Sequence, residues 1–208
     1  EHSGSLKSVP MLFHRPALVG MFALTVLAVT AHFTAYSYIE PFVREVALQS
    51  QNFATLLLLI FGGAGIVGSV IFSRYSSKFS LSFLPAAIAF MTICLLLLMP
   101  LGRDVWSLIM LSVFWGMAMM CIGLGMQVKV IDLSPDATDL AMSIFSGIFN
   151  IGIGAGALLG NQVIVHMGMT QIGYIGGAIG VIAFILCVYL FKRYSESLND
   201  RVDVAANH

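Results

Sequence analysis

The sequence predicts an all-α integral membrane protein built of six transmembrane helices. Three observations carry this expectation. Of 208 residues, 59% are hydrophobic and 10% are charged, against about 45–50% and about 25% in a soluble domain. The charges sit in clusters separated by long uncharged runs. Six of these runs approach or exceed the roughly 20 residues that a helix rising about 1.5 Å per residue needs to cross about 30 Å of hydrocarbon. The mean hydropathy of +0.95 agrees. Such a composition excludes a soluble enzyme, a nucleic-acid binder and a disordered chain. Ten bases balance ten acids, so bulk charge favours neither an acidic nor a basic partner.

Residues 1–15 are polar and include Ser3-Gly4-Ser5. They read as a loop or linker, without initiator Met or signal peptide, which suits a piece of a longer chain. Span one, 16–39, runs from Arg15 to Glu40. Span two, 54–73, ends at Arg74, and span three, 81–101, lies between Lys78 and Arg103. Span four, 105–127, starts after Asp104 and stops before Lys129. Span five, 140–165, follows Asp139, and span six, 172–191, precedes Lys192 and the tail 192–208. Unpaired backbone groups are not tolerated in hydrocarbon, so each run is expected to be helical. An outer-membrane barrel needs shorter alternating segments, and none occur.

Six spans put both termini on one side. With that side inside, Lys7, Arg15, Arg74, Lys78, Lys129, Lys192, Arg193 and Arg201 are inner, and only Arg44 and Arg103 are outer. This bias makes both ends cytoplasmic. Cys94, Cys121 and Cys187 fall within spans and suit packing, not disulfides or metal.

The spans divide into two groups of three, each with a glycine-rich middle helix. Span two carries Gly62, Gly63, Gly65, Gly68 and Ser69, and span five carries Gly152, Gly154, Gly156 and Gly160. Repeated three-helix units are a transporter arrangement. Glycine at every fourth position, as in Gly152, Gly156 and Gly160, suits close helix packing. Gly65/Ser69, Gly173/Gly177 and Gly176/Gly180 suit the same purpose.

Two polar stripes interrupt the apolar spans. Thr25, His32, Tyr36 and Glu40 share a face of span one roughly 80° wide at about 100° per residue. His32 is the sole Asp, Glu, Lys, Arg or His inside the six predicted spans. An ionisable residue at membrane depth is a functional candidate, although a structural hydrogen bond is the alternative. Ser143, Ser146, Asn150, Gly154 and Asn161 share a face of span five. Asn150 has donors and acceptors that suit a sugar hydroxyl, or that tie two helices together. Span four presents Ser112, Gly116, Met119, Met120, Gly123 and Gln127 on one face, suited to an adaptable pocket or a core. Trp115 points elsewhere and suits packing. Tyr36, Tyr38 and Trp106 lie near outer span ends, where aromatic anchors concentrate. Glu40 and Glu45 read as rim charges beside Arg44.

The segment Ser69-Val-Ile-Phe-Ser73-Arg74-Tyr-Ser76-Ser-Lys78 resembles the basic inner-loop motif of the major facilitator superfamily. Arg74 and Lys78 match its bases, while Ser73 and Ser76 replace its acid and a glycine. Arg15-Pro16-Ala17-Leu18 resembles the entry into helix seven of that superfamily. The runs His32 to Phe42 and Ser146 to Gly152 resemble the bacterial sugar-efflux permeases of its drug:proton antiporter group. The resemblance implies the C-terminal half of such a transporter: two inverted three-helix repeats, with residues 1–15 linking from a missing N-terminal half. It also implies a bacterial inner membrane, export of arabinose and related small sugars by alternating access, and proton coupling. Multidrug efflux by the same fold is the alternative.

The superfamily pattern puts the first and fourth helices of a half at the cavity and the second and fifth against the other half. His32, Tyr36 and Met119 are then expected to line the cavity, with Ser146 and Asn150 beside it as further substrate contacts. No carboxylate lies in a predicted span, so the coupling residue is expected in the absent half. The expected partners are a small sugar, protons, the bilayer and that half; no cofactor, metal or nucleic acid is expected. A protease pair of Ser146 and His32 has no supporting motif. No filter loop suggests a channel, and no P-loop suggests an ATP-driven pump. A packing subunit would not need two polar stripes.

Overall fold

The computed structural model describes residues 6–199. Nine α-helices occur among them: α1 Val9–Phe13, α2 Pro16–Tyr36, α3 Ile39–Glu45, α4 Gln51–Tyr75, α5 Phe83–Leu101, α6 Val105–Asp132, α7 Thr138–Met167, α8 Ile172–Arg193 and α9 Ser195–Leu198. Short 3-10 turns cover Leu6–Ser8 and Met169–Gln171. There is no strand among the described residues. Six helical stretches are long and apolar enough to cross a membrane, and they correspond to the six predicted spans.

Local chemistry sets the boundaries. Pro16 opens α2, where its missing N–H is not needed. The Ser50 hydroxyl accepts from Phe53 N at 3.1 Å and caps α4; the Asp104 carboxylate accepts from Ser107 N at 3.0 Å and caps α6. Gly168 ends α7 at φ 99°, a conformation that glycine adopts readily. Its N–H donates to Val163 O at 3.0 Å and Ile164 O at 3.1 Å.

Beyond shifts of two or three residues at helix ends, the structure departs from the expected boundaries in three places. Span one is broken at Ser37-Tyr38 and resumes as α3. Pro41 has no N–H for the Ser37 carbonyl, and the break places it in a new first turn where none is required. Residues 9–13 form α1, with Leu12 fully buried, instead of remaining irregular linker. α6 continues past 127 to Asp132. Lysine is a good helix former, so Lys129 continues the helix, and its ammonium is sequestered. This side chain is 5% exposed and donates to Ser80 Oγ at 3.1 Å and Leu198 O at 2.6 Å. Parts of the expected linker and tail, residues 1–5 and 200–208, lie outside the described residues.

Successive long helices alternate in direction. The near end of the bundle holds Pro16, Tyr75, Phe83, Asp132, Thr138 and Arg193. The strongest packing pairs are α4 with α6, α2 with α7, α5 with α8, α2 with α8, and α5 with α6. Exchanging α2 with α6, α4 with α7 and α5 with α8 leaves this pattern unchanged. Each triplet is odd in number, so the two repeats have opposite orientation. The middle helix of each triplet packs on the first helix of the other.

Glycine makes these swaps possible. A Cβ at Gly152 would lie 2.8 Å from Val29 Cβ, and one at Gly156 would lie 2.7 Å from Phe33 Cβ. A Cβ at Gly68 would lie 2.7 Å from Met117 O on α6, and one at Gly176 would lie 2.7 Å from Ala31 O on α2. The expected packing role of the glycine lines is therefore realised. In span two, however, Gly68 makes the closest approach, whereas the Ser69 hydroxyl bonds Ile66 O of its own helix. Cys94 and Cys187 are buried, and the Cys121 thiol contacts Gly68 O at 3.3 Å. Thr92 is buried against Gly180, its hydroxyl donating to Ile88 O at 2.8 Å.

Burial is uneven. α2 and α6 are the best covered of the long helices, while α4 and α7 leave most of their surface open.

Candidate functional site

A cavity of about 400 Å³ lies between α2, α4, α6 and α7. α6 supplies Gly116, Met119, Met120, Gly123, Leu124 and Gln127. Except for Ser112, this is the whole face that the sequence singled out; Ser112 is buried and bonds Leu108 O of its own helix at 2.9 Å. Gly123 leaves open space, with nothing within 4 Å of a Cβ built there. α2 supplies His32 and Phe33, α4 supplies Phe61, Gly62 and Gly65, and α7 supplies Phe145 and Phe149.

The back wall is a cluster of rings. His32 is 2% exposed, and Trp115 is 1% exposed. The Trp115 indole N–H donates to His32 Nδ1 at 2.9 Å. Tyr36 stacks on the imidazole at 4.8 Å between centroids and 20° between planes. Phe61 lies 5.7 Å away at 26°. Phe33 meets the imidazole edge-on at 4.6 Å. Phe61 also touches Tyr36 at 4.6 Å and Trp115 at 5.5 Å. Each such contact adds about 0.5–1.5 kcal/mol beyond area burial, so the wall is stiff.

Among the predicted contacts, the cavity brings together His32 and Met119. Tyr36 stands immediately behind them, half-buried in the ring cluster. Ser146 and Asn150 are exposed on a neighbouring face of α7 and do not line the cavity; one turn of about 100° per residue brings Phe145 and Phe149 in instead. The first polar stripe does not face open water along its length either. Thr25 is buried, its hydroxyl 2.7 Å from Met21 O and 3.4 Å from the sulfur of Met126. Trp115 packs, as its position suggested, but it also holds the candidate histidine. Phe61, Phe145 and Phe149 escaped notice because an apolar residue in an apolar span carries no signal of its own.

Arg74 and Lys78 lie away from the cavity, exposed at the near end. Lys78 Nζ stands 5.4 Å from the Phe79 ring centroid, and the Ser73 hydroxyl bonds Ser69 O of its own helix at 3.0 Å. At this end Arg15 also pairs with Asp136, at 2.5 Å and 2.8 Å. Arg15 also donates to Leu133 O at 3.0 Å. At the far end Arg44 bonds Gln51 at 3.2 Å, not Glu40 or Glu45. Trp106 is 75% exposed, as an anchor would be. Tyr38 instead turns inward, its hydroxyl donating to Ala157 O at 2.5 Å.

A second cleft of about 250 Å³ between α4, α5 and α6 is lined by residues such as Ile71, Phe90 and Phe114. Its lining is almost wholly apolar, so it offers no basis for recognising a polar solute.

Two interlocked triplets of apolar helices around a side cavity define a multi-pass membrane carrier, with the architecture of a transporter half domain. The family model of the major facilitator superfamily matches residues 18–205, and the chain belongs to that superfamily.

Proposed function

We propose that this half domain forms one wall of a secondary transporter that exports small amphipathic organic solutes by alternating access. The observation that supports this reading most is the character of the cavity. Seven aromatic or histidine rings line or back it, two Met side chains line it, and its polar side chains are His32 and Gln127. Such a wall binds by stacking and dispersion. A small sugar requires many fixed hydrogen bonds to replace those it makes with water.

Export of arabinose-like sugars is the second reading. It is favoured by the exposed amide of Asn150 and hydroxyl of Ser146, which an opposing half would meet. In both readings the missing N-terminal half completes the cavity and carries the carboxylate that couples export to protons. The membrane is the bacterial inner membrane, with the near end of the bundle cytoplasmic. Residues 1–15 link the halves, 16–191 form the bundle and 192–208 form the tail.

The test is accumulation of chloramphenicol, ethidium and radiolabelled arabinose in cells with and without the transporter. Lower accumulation of the two amphipathic probes, reversed by a protonophore, is the expected result. Lower arabinose alone supports the sugar reading, and no change for any probe removes both.

A further inference from the structure

We infer that Trp115 locks His32 in the neutral tautomer protonated on Nε2, so that His32 offers the cavity one fixed N–H donor. This deepens the proposed function and rests on the same cavity. It also makes Trp115 a positioning residue in the transport site.

The argument begins with the indole, which can only donate. Its hydrogen bond to His32 Nδ1 at 2.9 Å therefore requires a lone pair on that nitrogen. A ring protonated on Nδ1, whether neutral or imidazolium, would set two N–H groups against each other. A flipped ring would present C–H to the indole and leave a buried donor unpaired, which costs more than the bond itself is worth. Histidine tautomers are ordinarily ambiguous; a donor-only partner removes the ambiguity here.

The remaining nitrogen faces the cavity. Nε2 makes no hydrogen bond among the described residues, yet no buried side-chain nitrogen or oxygen among them is without a partner. Nε2 therefore reaches the cavity surface, where His32 is a lining residue. Tyr36 and Phe61 flank the ring in near-parallel planes and Phe33 abuts it, so the N–H has a fixed direction. No Asp, Glu, Lys or Arg lines the cavity. The titratable side chain whose ring packs on His32 is Tyr36 of its own helix. The solute that fits carries a flat apolar face and an acceptor oxygen at its edge. His32 is then a recognition residue and not the proton carrier, because a second proton on the ring would displace Trp115.

The test is a nitrogen spectrum of the transporter in nanodiscs, with imidazole-labelled histidine and the signals of His32 assigned by their loss in His32→Gln. The Nε2–H form is expected to persist between about pH 5.5 and about pH 8, where free histidine titrates. Trp115→Phe keeps a ring but removes the donor, and a second tautomer or imidazolium should then enter. Wild-type His32 protonated on Nδ1 near neutral pH, or an unchanged spectrum in Trp115→Phe, would overturn the proposal. Should Trp115→Phe fail to fold, the wild-type spectrum alone decides.

A transport arm tests the donor role with whichever of chloramphenicol or arabinose the wild type moves. His32→Gln retains an N–H and should hold KM within about twofold, while His32→Met should raise it about five- to tenfold. Equal effects of the two variants would refute the donor role. If the wild type moves neither of these nor ethidium, the proposed function falls, while the spectrum still decides the tautomer.

Discussion

Two faces of α7 carry small residues at similar spacing and meet opposite fates. Gly152, Gly156 and Gly160 are closed against α2. A Cβ at Gly156 would lie 2.9 Å from Thr30 O, and one at Gly160 would lie 2.5 Å from Thr34 O. Gly147 and Gly154 lie on the other side with Ser146 and Asn150, and nothing stands within 4 Å of a Cβ at either glycine. α4 repeats the contrast, with Gly68 closed on α6 while Gly62 and Gly63 are open. Small residues at helical spacing thus report a smooth surface. They do not report what covers it, which here divides one helix into a packing seam and an unpartnered face.

The most severe way to break the seam is to fill it. Gly160→Leu puts a branched side chain where a backbone oxygen and the Tyr38 ring already sit. Overpacking of this kind costs about 3 kcal/mol, at the upper end of the usual range. The expected outcome is loss of monodisperse protein in size-exclusion chromatography and a much lower Tm. A milder cut at the same place is Tyr38→Phe, which removes the hydroxyl that donates to Ala157 O. That loss should cost about 0.5–1.5 kcal/mol, the usual net worth of one hydrogen bond, since Ala157 O keeps its bond within α7. A Tm for Tyr38→Phe equal to that of wild type would show that this end of the seam contributes nothing through the hydrogen bond.

Much of this arrangement was legible beforehand. Six spans follow from charge spacing and length, and the glycine line of α7 follows from its four-residue period. The face of α6 was legible as a distinct one, because Gly116, Met119, Gly123 and Gln127 differ from their neighbours in size or polarity, but the sequence left open whether it met a pocket or a core. The depth of α6 was not legible. Lys129 looked like a surface charge because a sequence cannot show Ser80 and the Leu198 carbonyl gathering around its ammonium. Trp115 was legible as a buried ring but not as the partner of His32, since 83 residues separate them. Asn150 and Phe149 are adjacent in sequence. Choosing which of them enters a cavity requires the rotation of α7, and its seam with α2 sets that rotation.

The same helix pair is tied at its near end by Arg15, just before α2, and Asp136, just before α7. The hydrogen bond from Arg15, and then a backbone hydrogen bond, hold the Asp136 carboxyl below its ordinary value. The unfolded chain therefore takes up this proton at higher pH than the folded one. The contribution is complete above the ordinary aspartate value of about 3.9 and is lost as pH falls through the lower folded value. Asp136→Asn should thus lower Tm modestly near neutral pH. The gap from wild type should close under acid conditions and shrink in high salt. A gap unchanged by acid would assign the effect to loop geometry instead of charge.

The open face of α7 should show the smallest stability effects. Gly154→Ala adds a methyl group to open space and reduces backbone freedom, so it should leave stability unchanged or raise it by up to about 1 kcal/mol. Asn150→Ala should shift stability by less than about 0.5 kcal/mol, because its side chain is exposed and makes no hydrogen bond among the described residues. Transport then separates the readings of this face. If it meets solute beside the cavity, Asn150→Ala raises KM several-fold at unchanged Tm. If it meets only an opposing half, Asn150→Ala leaves KM alone and the bulkier Asn150→Leu slows turnover, because a rocking interface tolerates a lost amide better than added volume. Either result gives the open line a role distinct from that of the seam. A large fall in Tm for Asn150→Ala would show instead that the face is covered and that the two sides of α7 are more alike than their geometry indicates.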